Sequence, residues 1–450
     1  MGTFPLSPSQ EIVWLHEELF PDSRAYSFTA VLELTGALDE ACLELSLAAL
    51  VERHAAFRLE LVEGGAVPVQ RVRPACPPRL TRATLPDGPE GAARWERLLR
   101  EHHEAPFTLT EAPLVRWCLV ALPDGSHRLV HTEHHLVHDG RSYGLLVRDL
   151  FTLYAALLEG RPVELPTAGS YEDYVRLVDG AEWRERRRRS VDWWRRELEG
   201  APLGPLPGLA RETGRPGAEL AGGQVRQHVE PDLTARLAAA ARGNGHTLFS
   251  TMLCLFAELV RRLVGRDHLV LGTAVGNRPT GFEETVGMFV NTIPLHLRID
   301  GRLPAVDVVD EVTDVLLRAL PRQDAPILEL TRALGMHSAN GVDNPLFSVM
   351  FSAHDAPMPL VTVPGLDVTM VEGYNSGTSR FDIDAVLFPD SRRTVGPRTG
   401  PPGMTVVWDH AAGVFDPGEL EEVCAFYQEL AAAYADRPAH PLGRLATGAG

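Results

Sequence analysis

The stretch 128–151 constrains the fold more than any other. Arg128-Leu129-Val130-His131-Thr132-Glu133 reads as a strand, and Tyr143-Gly144-Leu145-Leu146-Val147-Arg148-Asp149-Leu150-Phe151 spaces its apolar residues at helical intervals. Between them lies His134-His135-Leu136-Val137-His138-Asp139-Gly140. A strand that feeds a helix through so short a turn belongs to an α/β architecture. Polar side chains at such a turn can face a cleft while rigid elements hold their backbone.

The rest of the chain keeps this style. Ala30-Val31-Leu32-Glu33-Leu34 reads as a strand, and Asp39 through Ala55 as an amphipathic helix. Trp183 to Leu198 is helical and arginine-rich, with Trp183, Val191, Trp194 and Leu198 on one face. A Gly/Pro-rich break at 200–208 follows as a linker or surface loop. Thr247 then caps an apolar helix running to about Leu263, and Leu269-Val270-Leu271-Gly272-Thr273-Ala274 is a buried-type strand. A second loop spans 396–403, and an amphipathic helix from Pro417 to Ala435 ends the pattern. No sequence repeat relates the two halves.

With 450 residues the chain can hold two core-bearing domains. Its net charge of −17 repels phosphate and argues against a nucleic-acid partner. No run of about 20 apolar residues is present to span a membrane. Met1-Gly2-Thr3-Phe4-Pro5-Leu6 lacks the basic and apolar regions of a secretion signal. Cys42, Cys76, Cys118, Cys254 and Cys424 are scattered and odd in number, which gives neither a disulfide framework nor a zinc site. A reduced, cytoplasmic setting is expected. Every one of the 43 basic Lys or Arg residues is arginine, so Schiff-base catalysis and a phosphate-loop lysine are both excluded.

The pattern His134-His135-x-x-x-Asp139-Gly140 resembles the active-site signature of the condensation domains of nonribosomal peptide synthetases, within the chloramphenicol-acetyltransferase-like acyltransferases. Other segments resemble further family elements in the right order. They are Ser7-Pro8-Ser9-Gln10-Glu11-Ile12-Val13-Trp14-Leu15, Arg53-His54-Ala55-Ala56-Phe57-Arg58 (with Ala55 where the family has Glu) and Tyr171-Glu172-Asp173-Tyr174. Gly272-Thr273-Ala274-Val275-Gly276-Asn277-Arg278-Pro279 and Val286-Gly287-Met288-Phe289-Val290-Asn291-Thr292 match closely. Gln323-Asp324-Ala325-Pro326 and Asp343-Asn344-Pro345-Leu346-Phe347 match in part. The resemblance spans almost the whole chain; it specifies the family and leaves the substrate open.

The resemblance implies two chloramphenicol-acetyltransferase-like α/β domains in a V-shaped pseudo-dimer, residues 1–180 carrying the histidine motif and residues 181–450 forming the second, with a tunnel between them. It implies transfer of an acyl or aminoacyl group from the phosphopantetheine thioester of a peptidyl carrier protein to an amine or hydroxyl. The acceptor is a small molecule or is itself carrier-bound, and the product is an amide or ester of a biosynthetic pathway. No cofactor is expected to be bound; the phosphopantetheine arm is a substrate. The chain ends soon after the last family element, which gives the expectation of a free-standing enzyme.

His135 is then the general base or proton-positioning group, since an ordinary imidazole is mostly neutral at pH 7. His134 points to the opposite face of a regular strand, as a structural partner. The resemblance pairs Asp139 with Arg278, and gives Gly140 the close approach that a side chain in the turn or beside the thioester arm would block. Asn291 either presents its amide to the channel or caps backbone at a strand end. His131, His134, His135, His138 and Asp139 also suggest a metal, but neighbours along a strand cannot converge on one ion as His at i and i+4 of a helix do; no metal is expected. The arginines from Arg184 to Arg196 form a solvated helix face or a dock for an acidic carrier.

Relatives of other activity are separated by residues. An epimerisation domain carries Glu-Gly-His-Gly-Arg, for which Glu372-Gly373-Tyr374-Asn375 is the nearest string, and a heterocyclising domain replaces the histidines with aspartates. A coenzyme-A-dependent acyltransferase and a catalytically silent scaffold that recruits partner proteins remain as alternatives.

Overall fold

The computed structural model describes residues 2–207, 209, 220–337, 344–354, 360–371, 377–390, 394–395, 401–415 and 418–446. Asp343, the string from Glu372 to Asn375, Pro417 and most of the loop 396–403 lie outside them.

Two six-stranded sheets organise the described residues. The first runs, edge to edge, Thr394–Val395, Leu366–Val371, Ser27–Gly36, His127–His134, Val115–Ala121, Leu80–Thr84. The second runs Asn291–Arg298, His268–Val275, Val349–Ala353, Ile383–Pro389, Met404–Ala411, Gly222–Val229. Neighbours are antiparallel except that Leu80–Thr84 runs parallel to Val115–Ala121, and Val349–Ala353 runs parallel to both its neighbours. A small sheet of Phe4–Pro5, Val69–Val72 and Leu59–Val62 flanks the first.

Helices bury one face of each sheet. In the first lobe Leu43, Leu47 and Leu50 of the helix Glu40–Arg53 share a core with Leu146, Leu150 and Tyr154 of the helix Gly140–Glu159. In the second, Phe256 of the helix Leu248–Val264 meets Phe351, Trp408 and Tyr427. Local chemistry sets the ends. Asp39 accepts from Cys42 N, Thr247 accepts from Ser250 N, and Ser7 with Gln10 forms a reciprocal capping box.

Residue 180 falls between the helices Tyr171–Asp179 and Ala181–Glu197, but it does not divide the sheets. The strand Leu366–Val371 crosses back to pair with Ser27–Gly36, from Leu366 opposite Gly36 to Val371 opposite Val31. Its alternate residues Leu366, Val368 and Met370 enter the first core. Gly36 is needed there: a Cβ at this position would lie 2.2 Å from Gly365 O. Val286, Met288 and Phe289 belong to the first core as well. The second half of the chain therefore grips the first at two places.

Candidate active site

The strand His127–His134 ends in a single tight turn, His135–Val137, before Asp139 caps the helix Gly140–Glu159. Asp139 Oδ1 accepts from Ser142 N at 2.8 Å and Ser142 Oγ at 2.7 Å. This cap is why the chain turns sharply here.

The turn sends the two adjacent histidines to different places. His134 is buried; its Nδ1 accepts from Leu136 N at 3.2 Å, its Nε2 lies 3.3 Å from Glu17 Oε1, and Phe107 meets its ring edge-on. His135 instead lines a cavity of about 1230 Å³ walled by both lobes. Its backbone N–H donates to Tyr26 O at 2.8 Å, and its Nδ1 pairs with His138 O at 3.0 Å. A carbonyl only accepts, so Nδ1 carries the proton of the neutral ring and the Nε2 lone pair is free. Burial, then the nearby Arg380 charge, lowers the His135 pKa to about 4. The ring is therefore neutral at pH 7.

Asp139 and Arg278 meet. Arg278 Nη2 lies 3.0 Å from Asp139 Oδ1 and 3.2 Å from Oδ2, with both side chains buried. The same guanidinium donates to Ser142 Oγ and to the carbonyls of Phe282 and Thr285, and lies 3.7 Å from the centre of the Phe289 ring. Phe289 N donates to Asp139 Oδ2 at 3.1 Å. Asp139 is thus surrounded by donors and turned away from proton abstraction. The segment Val286-Gly287-Met288-Phe289 is docked beneath it. Tyr171 Oη donates to Met288 O at 2.7 Å, and a Cβ on Gly287 would sit 2.0 Å from the Tyr171 ring. Ser142 bridges the two segments, its Oγ accepting from Gly287 N at 3.1 Å and lying 2.8 Å from Gly287 O, so that Gly287 O and Asp139 Oδ1 share its one proton.

Two sequence expectations change in detail. Gly140 lines the cavity, but the turn itself does not require glycine. Its φ is not in the left-handed region, and a Cβ would make only ordinary contact, 3.6 Å, with the ring of His354 across the cleft. Asn291 also lines the cavity, yet both its amide N–H groups are spent on the carbonyls of Gln323 and Ala325, at 2.8 and 2.7 Å. It ties a loop to the strand end. Arg184, Arg186, Arg187, Arg188 and Arg195 each pair with a carboxylate of their own lobe or neighbouring helix. Among the described residues no group of three or more His, Cys, Asp or Glu side chains is placed to hold a metal ion, and no helix is long and apolar enough to cross a membrane.

Sequence reasoning missed two residues of the site, Ser142 beneath the turn and Arg380 in the cavity wall. Ser142 had a local signal, as the third residue after a capping Asp. Arg380 had none. It comes from the second lobe, stacks on Tyr26 with its guanidinium carbon 4.5 Å from the ring centre, and lines the same cavity as His135.

Five histidines held wholly or partly out of water carry a consequence for stability. Burial lowers His16 and His138 to about 3, and His102, His103 and His135 to about 4. An unfolded chain would protonate each below pH ~6.5. Between about 6.5 and 4 the unfolded state thus binds more protons than the folded one, and stability falls as pH drops through that window. Thermal melts at pH 7 and pH 5 are expected to show a clearly lower melting temperature at pH 5; equal values would contradict the neutral burial of these rings.

Residues 1–447 match the family described as Condensation domain. Phosphinothricin tripeptide synthetase PhsC of Streptomyces viridochromogenes is 30% identical over 99% of this chain, and malpinin synthetase of Mortierella alpina is 30% identical over 86%. The chain spans 40% of the first and 5% of the second. The first condensation domain of the CDA synthetase superposes with a TM-score of 0.84 at 22% identity, covering 99% of both chains. That likeness gives the fold: two chloramphenicol-acetyltransferase-like lobes. By the match over residues 1–447, this chain belongs to the condensation-domain family of nonribosomal peptide synthetases.

Proposed function

We propose that this chain joins an acyl or aminoacyl group, delivered as a thioester on the phosphopantetheine arm of a peptidyl carrier protein, to the amine or hydroxyl of an acceptor. The observation that carries the reading is His135: its Nδ1–H is fixed on a carbonyl, which leaves the Nε2 lone pair able to accept a proton, and the residue lines a cavity shared by both lobes.

The acceptor N–H or O–H attacks the thioester carbonyl carbon while His135 Nε2 takes its proton. The new C–N or C–O bond forms, the C–S bond breaks, and the proton passes from the imidazolium to the leaving thiolate. Such proton transfer is typically worth ~10²–10⁴ in rate. Asp139 and Arg278 hold the turn and are not part of the transfer. The cavity, about 1230 Å³, exceeds the ~300–1,000 Å³ of ordinary ligand sites, which suits a long arm and an acceptor together. Ile12, Leu15, Leu316 and Ile327 make part of its wall apolar.

The test compares kcat/KM for one acyl group on a carrier protein, on coenzyme A and on a truncated pantetheine thioester. The carrier-borne donor is expected to be favoured by ~10-fold or more, and to lose that advantage as salt screens the encounter. Equal values for all three would replace this reading with a coenzyme-A-type small-molecule acyltransferase. No turnover of any of them, with any acceptor, would favour a silent scaffold.

A further inference from the structure

Glu133 has no exposed surface. Its Oε1 lies 3.1 Å from His131 Nε2 and 3.4 Å from His138 Nδ1. Its cross-strand neighbours, Phe28 and Val115, offer no side-chain donor. A buried carboxylate in such surroundings persists when it is paired. Burial raises its pKa, but the adjoining His138 and His131 imidazoles outweigh that and hold the group below the usual carboxylate range.

His138 connects this carboxylate to the base. Its Nδ1 faces both Glu133 and His134 O, the latter at 3.4 Å, so Nδ1 is the protonated nitrogen. Among the described residues its Nε2 has no hydrogen-bond partner and is not sealed off, and the residue forms part of the cavity wall. The His138 ring lies 4.9 Å from that of His135 at an interplanar angle of 20°, and its carbonyl takes the His135 Nδ1–H. One residue therefore fixes both the plane and the tautomer of the base, and that residue lies at ion-pair distance from a buried acid whose oxygens make no hydrogen bond among the described residues.

We propose that Glu133 and His138 are positioning residues for His135: His138 fixes the base, and the Glu133 charge beside the His138 ring, acting through it, supports the positive charge that develops on His135 as it accepts the proton. The proposal rests on His135 being the proton acceptor. Other charged or titratable groups face this pair from every side. Arg380 from the second lobe opposes protonation of His135, as does His134, while Tyr26 lies edge-on to it. Tyr143 of the following helix packs on His131, and Asp139 raises Glu133. Among these, Glu133 is the group that favours a proton on His138, against the burial that disfavours it.

The test uses the shape-preserving variants Glu133→Gln and His138→Phe, singly and together, in the intact chain with a carrier-borne donor. Each is expected to lower kcat by ~10-fold with KM unchanged, and the double variant to be no worse than the poorer single one, because the two act as a unit. Glu133→Gln is also expected to move the acid limb of kcat/KM to lower pH, since a nearby negative charge has been removed. A purely structural role would not shift that limb. Wild-type kcat with an unmoved limb in Glu133→Gln overturns the proposal, as do losses that multiply in the double variant. Should Glu133→Gln fail to fold, His138→Phe, which keeps a ring against His135, decides alone: a kcat close to wild type overturns it. His135→Ala is measured alongside, and full activity there would mean that the parent reading has failed and not this one.

Discussion

His135→Ala is expected to lower turnover by ~100-fold or more while the protein keeps its fold. The imidazole sits at the cavity wall and is only partly buried, and it makes one hydrogen bond, to a backbone carbonyl. Truncating it removes the free Nε2 and little packing. Retention of more than about a tenth of the activity would remove it from the base role. His134→Ala makes the contrast. That side chain is buried, accepts from Leu136 N and lies beside Glu17, so its loss is expected to lower stability and soluble yield as well. Circular dichroism and melting temperature measured alongside turnover separate the two cases.

Arg278→Ala is expected to be the most destabilising of the site substitutions, by ~3–5 kcal/mol, because it leaves the buried Asp139 carboxyl without its cation. The guanidinium holds Asp139, Ser142 Oγ and two carbonyls while lying on the Phe289 ring, so one truncation releases the helix cap and the docked segment together. Asp139→Asn is expected to act in the same direction, since it removes the charge that Arg278 faces, and in both variants activity and stability fall together. Chemical denaturation measures the change. A loss below ~1 kcal/mol in Arg278→Ala would show that the pair does not hold the turn.

What the sequence made readable was mostly local. The strand before the histidines, the helix after them and the capping residues Asp39 and Thr247 follow from period and propensity over a few residues. Asp139 and Arg278 came from the family resemblance, and 139 residues of chain separate them. The rest depended on contacts that no local pattern encodes. The strand Leu366–Val371 alternates like any half-buried strand, but nothing in it names Ser27–Gly36 as its partner. Gly287 read as part of a motif, and the reason for it, the Tyr171 ring, lies far earlier in the chain. Asn291 left two readings open because an amide serves a backbone carbonyl and a ligand equally well; Gln323 and Ala325 take its N–H groups, while the residue also lines the cavity. His131 and His138 stood out only as a cluster of imidazoles. Their link to Glu133 depends on how the 3₁₀ turn at His135–Val137 folds His138 back under the strand end.

The most direct test of the central claim follows an acyl group on a carrier protein by intact mass, with and without an acceptor amine, for wild type and His135→Ala. The account predicts that the carrier loses the acyl mass, and a product of acceptor plus acyl appears, only when acceptor and intact His135 are both present. Loss of the acyl group at the same rate in the His135→Ala variant, or in wild type without any acceptor, would contradict it.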